Sequence, residues 1–335
     1  MRQRLSAIIG LVLLTQGAGL ATSAPAPKGA LAPLASAKIA LVPFEESPFP
    51  YRGQIPDKNI PFMDVMEGDR AGHTSPRGGI YWEDKTYSDR RSLLFIPRGF
   101  DPNRPALIVV FFHGNEATLT RDVRYRQQVP RQLAESGLNA VLVAPQFAVN
   151  ALDSSAGRFW EPGVFGRYLD EAAQHLTALY GNERVRGTFA NAPVVIAAYS
   201  GGYHPASFAL LHGKIDERLR GVILFDALFG DLERFADWLT RRPSAFFVSA
   251  YGKAAREDTA TFQTMLTERG IAFQKELPSS LARGTVTFIA AHDDIKHSDF
   301  VTDAWVKDPL KVLLRRIGGF PRTGNLATDA TPKGK

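Results

Sequence analysis

The 335-residue chain contains no cysteine. That removes a disulfide framework, a thiolate nucleophile, a cysteine-ligated metal and a lipoprotein anchor, while leaving the compartment open. A strong excess of one charge is missing as well. The formal charge is +6, but Arg2, Arg4, Arg322, Lys333 and Lys335 lie in terminal segments beside Asp329. Without those six residues the body carries only about +2, so a nucleic-acid partner is not indicated. There is no internal repeat and no sign of a second core. The N-terminal apolar stretch, Leu5 to Leu14, falls short of the roughly 20 residues that a membrane-spanning helix needs.

That short stretch is informative in another way. Arg2 and Arg4 precede it, and small residues follow at Gly17, Ala18, Gly19, Ala21, Ser23 and Ala24. This is a signal peptide in outline, residues 1–24, with cleavage near Ala21 or Ala26. It predicts a periplasmic or secreted protein without a stable membrane anchor, an uncleaved anchor helix being the alternative. Residues 25–56 are rich in Pro and Ala and read as an irregular lead-in. The expected domain runs over 57–320, and 321–335 reads as a disordered tail.

Within that domain, short β-type runs at Gly79–Trp82 and Arg91–Ile96 suggest opening antiparallel strands. From Ala106 onward strands and helices alternate. Apolar strand-like runs at 106–112, 138–144, 194–198, 221–225, 245–250 and 285–290 are separated by segments with three- and four-residue apolar spacing, such as Leu169, Ala172, Leu176 and Leu179. This order argues for a mainly parallel central sheet with helices on both faces. In such sheets ligands bind beyond the carboxyl ends of the strands, so polar residues at strand ends are the ones to collect.

Four such places stand out. Pro193-Val-Val-Ile-Ala-Ala-Tyr-Ser200-Gly-Gly stops an apolar run at a serine followed by two glycines, the pattern of a tight strand-to-helix turn that lifts a hydroxyl clear of the backbone. Ala198 stands where the commonest form of this pattern has Gly. Asp226 ends the next strand, His113-Gly114-Asn115 ends an earlier one, and His292-Asp-Asp-Ile-Lys-His297 follows the last. A serine hydroxyl needs a base to take its proton, and an imidazole in that role is best held by a carboxylate. The order Ser, Asp, His supplies all three. His297 is the favoured base, with His292 as the alternative. Asp226 is the favoured acid because a strand end fixes it, with Glu257 and Asp258 in a following loop as alternatives. Asp231 reads as a helix N-cap, and His204 as a cleft-wall or helix histidine. No motif surrounds His73, His175 or His212.

On these residues, roughly Arg91 to Ile317, the chain resembles the α/β-hydrolase family. The resemblance implies an α/β-hydrolase fold and an exported serine hydrolase of esterase type, cleaving an ester or, second, an amide of a small molecule. It implies an oxyanion hole made by the backbone amides of Gly201 and Asn115, and substrate contacts from Tyr199, His113 and Trp160. No cofactor is expected. Residues 146–166, with Asp153-Ser-Ser-Ala-Gly157, Phe159 and Trp160, look too polar and Gly-rich for core and read as a lid, a cleft wall or a surface loop. Two other classes stay open. One is a binding protein on the same fold without turnover. The other is a metal-dependent hydrolase that uses the 292–297 loop.

Overall fold

A computed structural model describes residues 30–323. The signal peptide over 1–24 and the tail beyond 323 lie outside the described residues. In chain order the elements are β1 (Lys38–Pro43), β2 (Gln54–Ile55), β3 (Ile60–Pro61), β4 (Val65–Glu67), β5 (Arg70–Thr74), β6 (Ile80–Trp82), the short α1 (Glu83–Thr86), β7 (Arg91–Ile96) and β8 (Leu107–Phe112). Then come α2 (Val129–Ser136), β9 (Ala140–Pro145), α3 (Val164–Tyr180), α4 (Arg186–Ala190), β10 (Val194–Tyr199), α5 (Tyr203–His212), β11 (Leu219–Phe225), α6 (Leu232–Arg241), β12 (Phe246–Tyr251), α7 (Arg256–Glu268), β13 (Val286–Ala290) and α8 (Pro309–Arg315).

Eight strands form one sheet in the order β1-β7-β9-β8-β10-β11-β12-β13. The first two pairings, β1 with β7 and β7 with β9, are antiparallel, and every later one is parallel. Continuous apolar sequence is what such a sheet requires, because a parallel strand covered on both faces has no wet side. All six residues of β8 and of β10 are accordingly buried. Their side chains divide by parity. Val194, Ile196 and Ala198 enter a core shared with α3, α5, α6 and α7, whereas Val195, Ala197 and Tyr199 enter the opposite core with α2 and α8. The doubly covered sheet expected from the alternation is therefore present.

Three expectations need correction. The lead-in over 25–56 is not irregular throughout: β1 pairs along its whole length with β7, Lys38 opposite Ile96 and Pro43 opposite Arg91. Its first five residues are half-buried, and its apolar run is only the four residues Ile39 to Val42, closed by Pro43 within a stretch rich in Pro and Ala. Phe44, Phe49 and Tyr51 then join the main core, so the domain starts well before residue 57. At the other end residues 321–323 are not part of a disordered tail. Arg322 bridges to Leu138, the Asn139 amide donates to the Pro321 carbonyl at 3.0 Å, and the Thr323 amide donates to the Gly137 carbonyl at 2.7 Å. The β-type runs at 79–82 and 91–96 do not pair with each other either. β6 joins β5 and β4 in a separate three-stranded sheet.

That small sheet and the β2–β3 hairpin matter for the site, because they send Ile55, His73, Ser75 and Arg77 to a cavity beyond the carboxyl ends of the large sheet. Residues 146–166 form another wall. Phe147, Phe159 and Phe165 are buried in the core while Asp153, Ser154, Ser155 and Trp160 face the cavity, so the segment is far more anchored than its polarity suggests. Among the described residues no helix is long and apolar enough to cross a membrane.

Candidate active site

The apolar run of β10 ends at Tyr199, and Ser200 to Gly202 form a single tight turn that leads into α5. Ser200 takes the left-handed backbone, with φ of 52°, a conformation that costs a non-glycine residue about 1 kcal/mol. The neighbours are small because the turn is crowded. A Cβ on Gly202 would fall 2.5 Å from the Phe112 carbonyl oxygen, and one on Gly201 would fall 2.2 Å from the Asn115 side-chain amide group. The loop after β8 presses on the same spot, since a Cβ on Gly114 would meet Ser200 Cβ at 2.8 Å.

Asp226 stands at the end of β11, also with left-handed backbone, φ 41°. Its amide donates to the Ala250 carbonyl at 2.7 Å and its Oδ1 accepts from the Gly252 amide at 2.8 Å, so the side chain is fixed by the neighbouring strand end. Oδ2 accepts from His297 Nδ1 at 2.7 Å, and His297 Nε2 lies 2.7 Å from Ser200 Oγ. With the ring proton on Nδ1, Nε2 is the acceptor of the serine hydroxyl. Asp226 is 2 % exposed and His297 40 %, so the carboxylate is shielded while the imidazole opens to the cavity.

Tyr199 holds that imidazole from beneath. Its ring stacks on His297 with centroids 5.1 Å apart, and its hydroxyl donates to the His297 carbonyl at 2.8 Å. Burial pushes the Tyr199 phenol up to about 12, so it remains a neutral donor. Expected as a substrate contact, Tyr199 borders a second groove beside Ser200 and is also the support of His297.

His113 is corrected more sharply. It is 2 % exposed and borders neither cavity next to Ser200. Its Nδ1 donates to the Gly114 carbonyl at 2.7 Å and its Nε2 accepts from the Phe147 amide at 2.9 Å, which ties the loop after β8 to the loop after β9. Burial drops its pKa to about 4, so it is neutral and shapes the loop instead of touching substrate. Asn115 lies against Gly201. In the amide orientation that satisfies all its partners, its side-chain nitrogen donates to the Asp153 carbonyl and Ser154 Oγ, and its oxygen accepts from Arg77.

The alternatives for base and acid fall elsewhere. His292 is exposed in its loop and Glu257 is exposed in the first turn of α7 with Asp258 beside it. Within the 292–297 loop Asp293 pairs with Arg256, and His297 is committed to Asp226 and Ser200. Among the described residues no group of three His, Asp or Glu side chains is placed to hold a metal.

One pairing in the site was not legible, that of His204 with Asp231. His204, on the first turn of α5, faces the same cavity as Ser200, and its Nδ1 donates to Asp231 Oδ2 at 2.8 Å. Its Nε2 accepts from Trp160 Nε1 at 3.2 Å. Asp231 does occupy the N-cap position of α6, but its carboxylate makes no cap bond. It binds His204, Ser207 and Arg234 instead. Burial alone would raise this carboxyl; the bonds from His204 and Ser207 and the Arg234 charge outweigh it and hold it below the usual carboxylate range. The spacing of Ser207 and Asp231 from His204 in sequence, 3 and 27 residues, carries no motif.

The cavity over Ser200 measures about 670 Å³ and has aromatic walls at Trp160, Tyr203, Phe208 and Phe229. A shallower groove of about 700 Å³ runs past the other side of Ser200, Asn115 and Tyr199. Sheet order, strand-to-helix turn and strand-end residues together define an α/β-hydrolase fold. No family model and no curated protein matches the sequence. Solved structures similar to the chain include a feruloyl esterase module from Clostridium thermocellum, at 14% identity and a TM-score of 0.43 over 81% of this chain and 95% of that one. An S-formylglutathione hydrolase from Agrobacterium tumefaciens matches at 14% and 0.44 over 76% and 98%. A dienelactone hydrolase from Anabaena variabilis matches at 15% and 0.37 over 68% and 89%.

Proposed function

We propose that the chain is an exported serine hydrolase that cleaves an ester, with an amide as the second substrate class, through an acyl-serine intermediate. The observation that carries this reading is the single imidazole, His297, bonded at 2.7 Å to both Ser200 Oγ and Asp226. In the proposed cycle Ser200 attacks the carbonyl carbon as His297 Nε2 takes its proton. Asp226 keeps the Nδ1 proton in place and stabilises the imidazolium that forms. The oxyanion is received by the backbone amides of Gly201 and Asn115, each donor being worth about 3 kcal/mol in the transition state. His297 then hands its proton to the leaving alcohol, and water repeats the sequence on the acyl-serine. Export rests on residues 1–24 alone.

The test is covalent labelling of the purified mature protein with a fluorophosphonate, the adduct mapped by peptide mass spectrometry. Labelling at Ser200 that is lost in Ser200→Ala is the expected result. A folded protein that takes no label would instead be a binding protein on this fold.

A further inference from the structure

The two hollows that meet at Ser200 differ in charge. In the cavity with aromatic walls, histidines aside, Lys58 and Arg234 stand against Asp57 and Asp153, and Arg234 pairs with Asp57 at 2.9 Å. The groove on the other side holds three guanidinium groups, Arg77, Arg121 and Arg126, against two carboxylates, Glu116 and Asp122. One positive charge is left over. The segment Leu119–Arg126 explains why two of these arginines sit together. It is wound as a π-helix, with the Gln127 amide donating at 2.7 Å to the Asp122 carbonyl five residues back. That winding sets residues five apart on one face. Arg121 and Arg126 accordingly both reach the buried Asp122 carboxylate, each at 2.9 Å.

The donors of these arginines are accessible and not used up. Both Arg121 and Arg126 are about half exposed, and Arg126 meets Asp122 through Nε, leaving its Nη groups without a carboxylate among the described residues. Arg77 is exposed and forms no ion pair among the described residues. Its Nη1 donates to the Asn115 side-chain oxygen at 3.2 Å, which holds the guanidinium at the rim shared by groove and cavity. Glu116 does not neutralise them, since Arg121 takes its backbone carbonyl and its exposed side chain pairs with none of the three. A guanidinium presents parallel N–H donors that match the two oxygens of a carboxylate. A carboxylate monoanion would cancel the surplus charge, whereas a phosphomonoester dianion would overshoot it. We propose that this groove binds a carboxylate of the substrate, with Arg77 and Arg126 as its donors, so that the preferred esters join an apolar part, held in the aromatic cavity, to a part that ends in a carboxylate. That the ligand is an ester substrate rests on the serine-hydrolase reading; the carboxylate preference does not depend on turnover.

The experiment separates binding from chemistry. In Ser200→Ala, calorimetry compares two matched pairs: phenylpropyl hydrogen succinate with phenylpropyl isocaproate, and the phenylpropanoate ester of β-hydroxypropanoic acid with isopentyl phenylpropanoate. Each pair exchanges a carboxylate for an isopropyl group of similar shape, on the acyl side in the first and on the alcohol side in the second. In at least one pair the carboxylate should bind about tenfold tighter at low salt, the scale of a charge-assisted hydrogen bond, and the ratio should shrink as salt is raised. Adding Arg77→Gln with Arg126→Gln should bring the two affinities together, and Arg77→Lys with Arg126→Lys should restore part of the difference. If the doubly substituted glutamine protein does not fold, Arg77→Gln alone should cut the ratio about threefold. The phenylpropanoate ester of glycol phosphate should bind no tighter than its carboxylate counterpart. Equal affinities within both pairs, a preference that survives the arginine substitutions or ignores salt, or tighter binding of the phosphate would each overturn the proposal. Absence of fluorophosphonate labelling in the wild type would instead remove the hydrolase reading and leave this binding result standing.

Discussion

Two histidine–aspartate pairs face one cavity and differ in what meets the far nitrogen. In His297–Asp226, Nε2 looks at a serine hydroxyl; in His204–Asp231, it looks at the indole N–H of Trp160. Both imidazoles are oriented by a carboxylate at Nδ1, at 2.7 and 2.8 Å, buried in Asp226 and partly covered in Asp231. The difference lies in the third member. A serine hydroxyl can give up its proton when its oxygen attacks, whereas an indole N–H is a donor only, its nitrogen lone pair being part of the aromatic ring. On the proposed reading the same dyad activates a serine in one place, while in the other it braces an aromatic wall. Backbone context separates them too: Asp226 ends a central strand and is 2 % exposed, while Asp231 sits in a loop at 10 % and shares its charge with Arg234.

Breaking the first pair should have the largest effect. Ser200→Ala and His297→Ala should each lower kcat by about 10⁵-fold or more with unchanged circular dichroism, because the attacking group and its base act as a unit. Asp226→Asn should cost about 10³- to 10⁴-fold, since an amide favours the wrong tautomer of His297. Glutamine or asparagine at Glu257 or Asp258 should leave kcat within about twofold. A comparable loss there, with Asp226→Asn active, would move the acid to α7.

A third histidine sharpens the contrast through stability. His113 is held neutral, its pKa lowered by burial from 6.5 to about 4. Between those values the unfolded chain takes up a proton that the folded chain refuses. Its contribution is therefore complete above the unfolded value and is lost as pH falls towards the folded one, amounting to about 3 kcal/mol. Urea midpoints measured across that window should fall with pH, and His113→Gln should flatten the fall. The smallest effect belongs to the second pair. His204→Gln should weaken kcat/KM by about tenfold or less, mainly through KM, as the Trp160 wall loosens. A kcat collapse matching that of His297→Ala would mean that His204 takes part in the chemistry.

The strand ends were readable because each combines a long apolar run with an abrupt polar stop. Ser200, Asp226 and the His297 loop all carry that signature, and the parallel sheet follows from it. What could not be read depends on side chains meeting from elements without a pattern. β5 is the polar pentapeptide Arg-Ala-Gly-His-Thr, so nothing marks His73 as a wall residue. His204, Trp160 and Asp231 come from a helix, a short turn and a loop, and only packing brings them together. β1 was masked by its surroundings, since its short apolar run, Ile39 to Val42, lies in a stretch dominated by Pro and Ala. For Asp231 an aspartate before a helix suggested a cap, but His204, Ser207 and Arg234 took its carboxylate instead.

The left-handed backbone at Ser200 and Asp226 has a meaning for the history of such a chain. Glycine adopts this conformation freely, so the backbone itself favours neither side chain, and only Asp226 has a structural bond to keep it, from the Gly252 amide. The serine and the aspartate are kept there against the local preference of the backbone. If the proposed chemistry were lost, Ser200 would be the freer of the two to drift towards glycine, whereas Asp226 would still be held by the Gly252 amide.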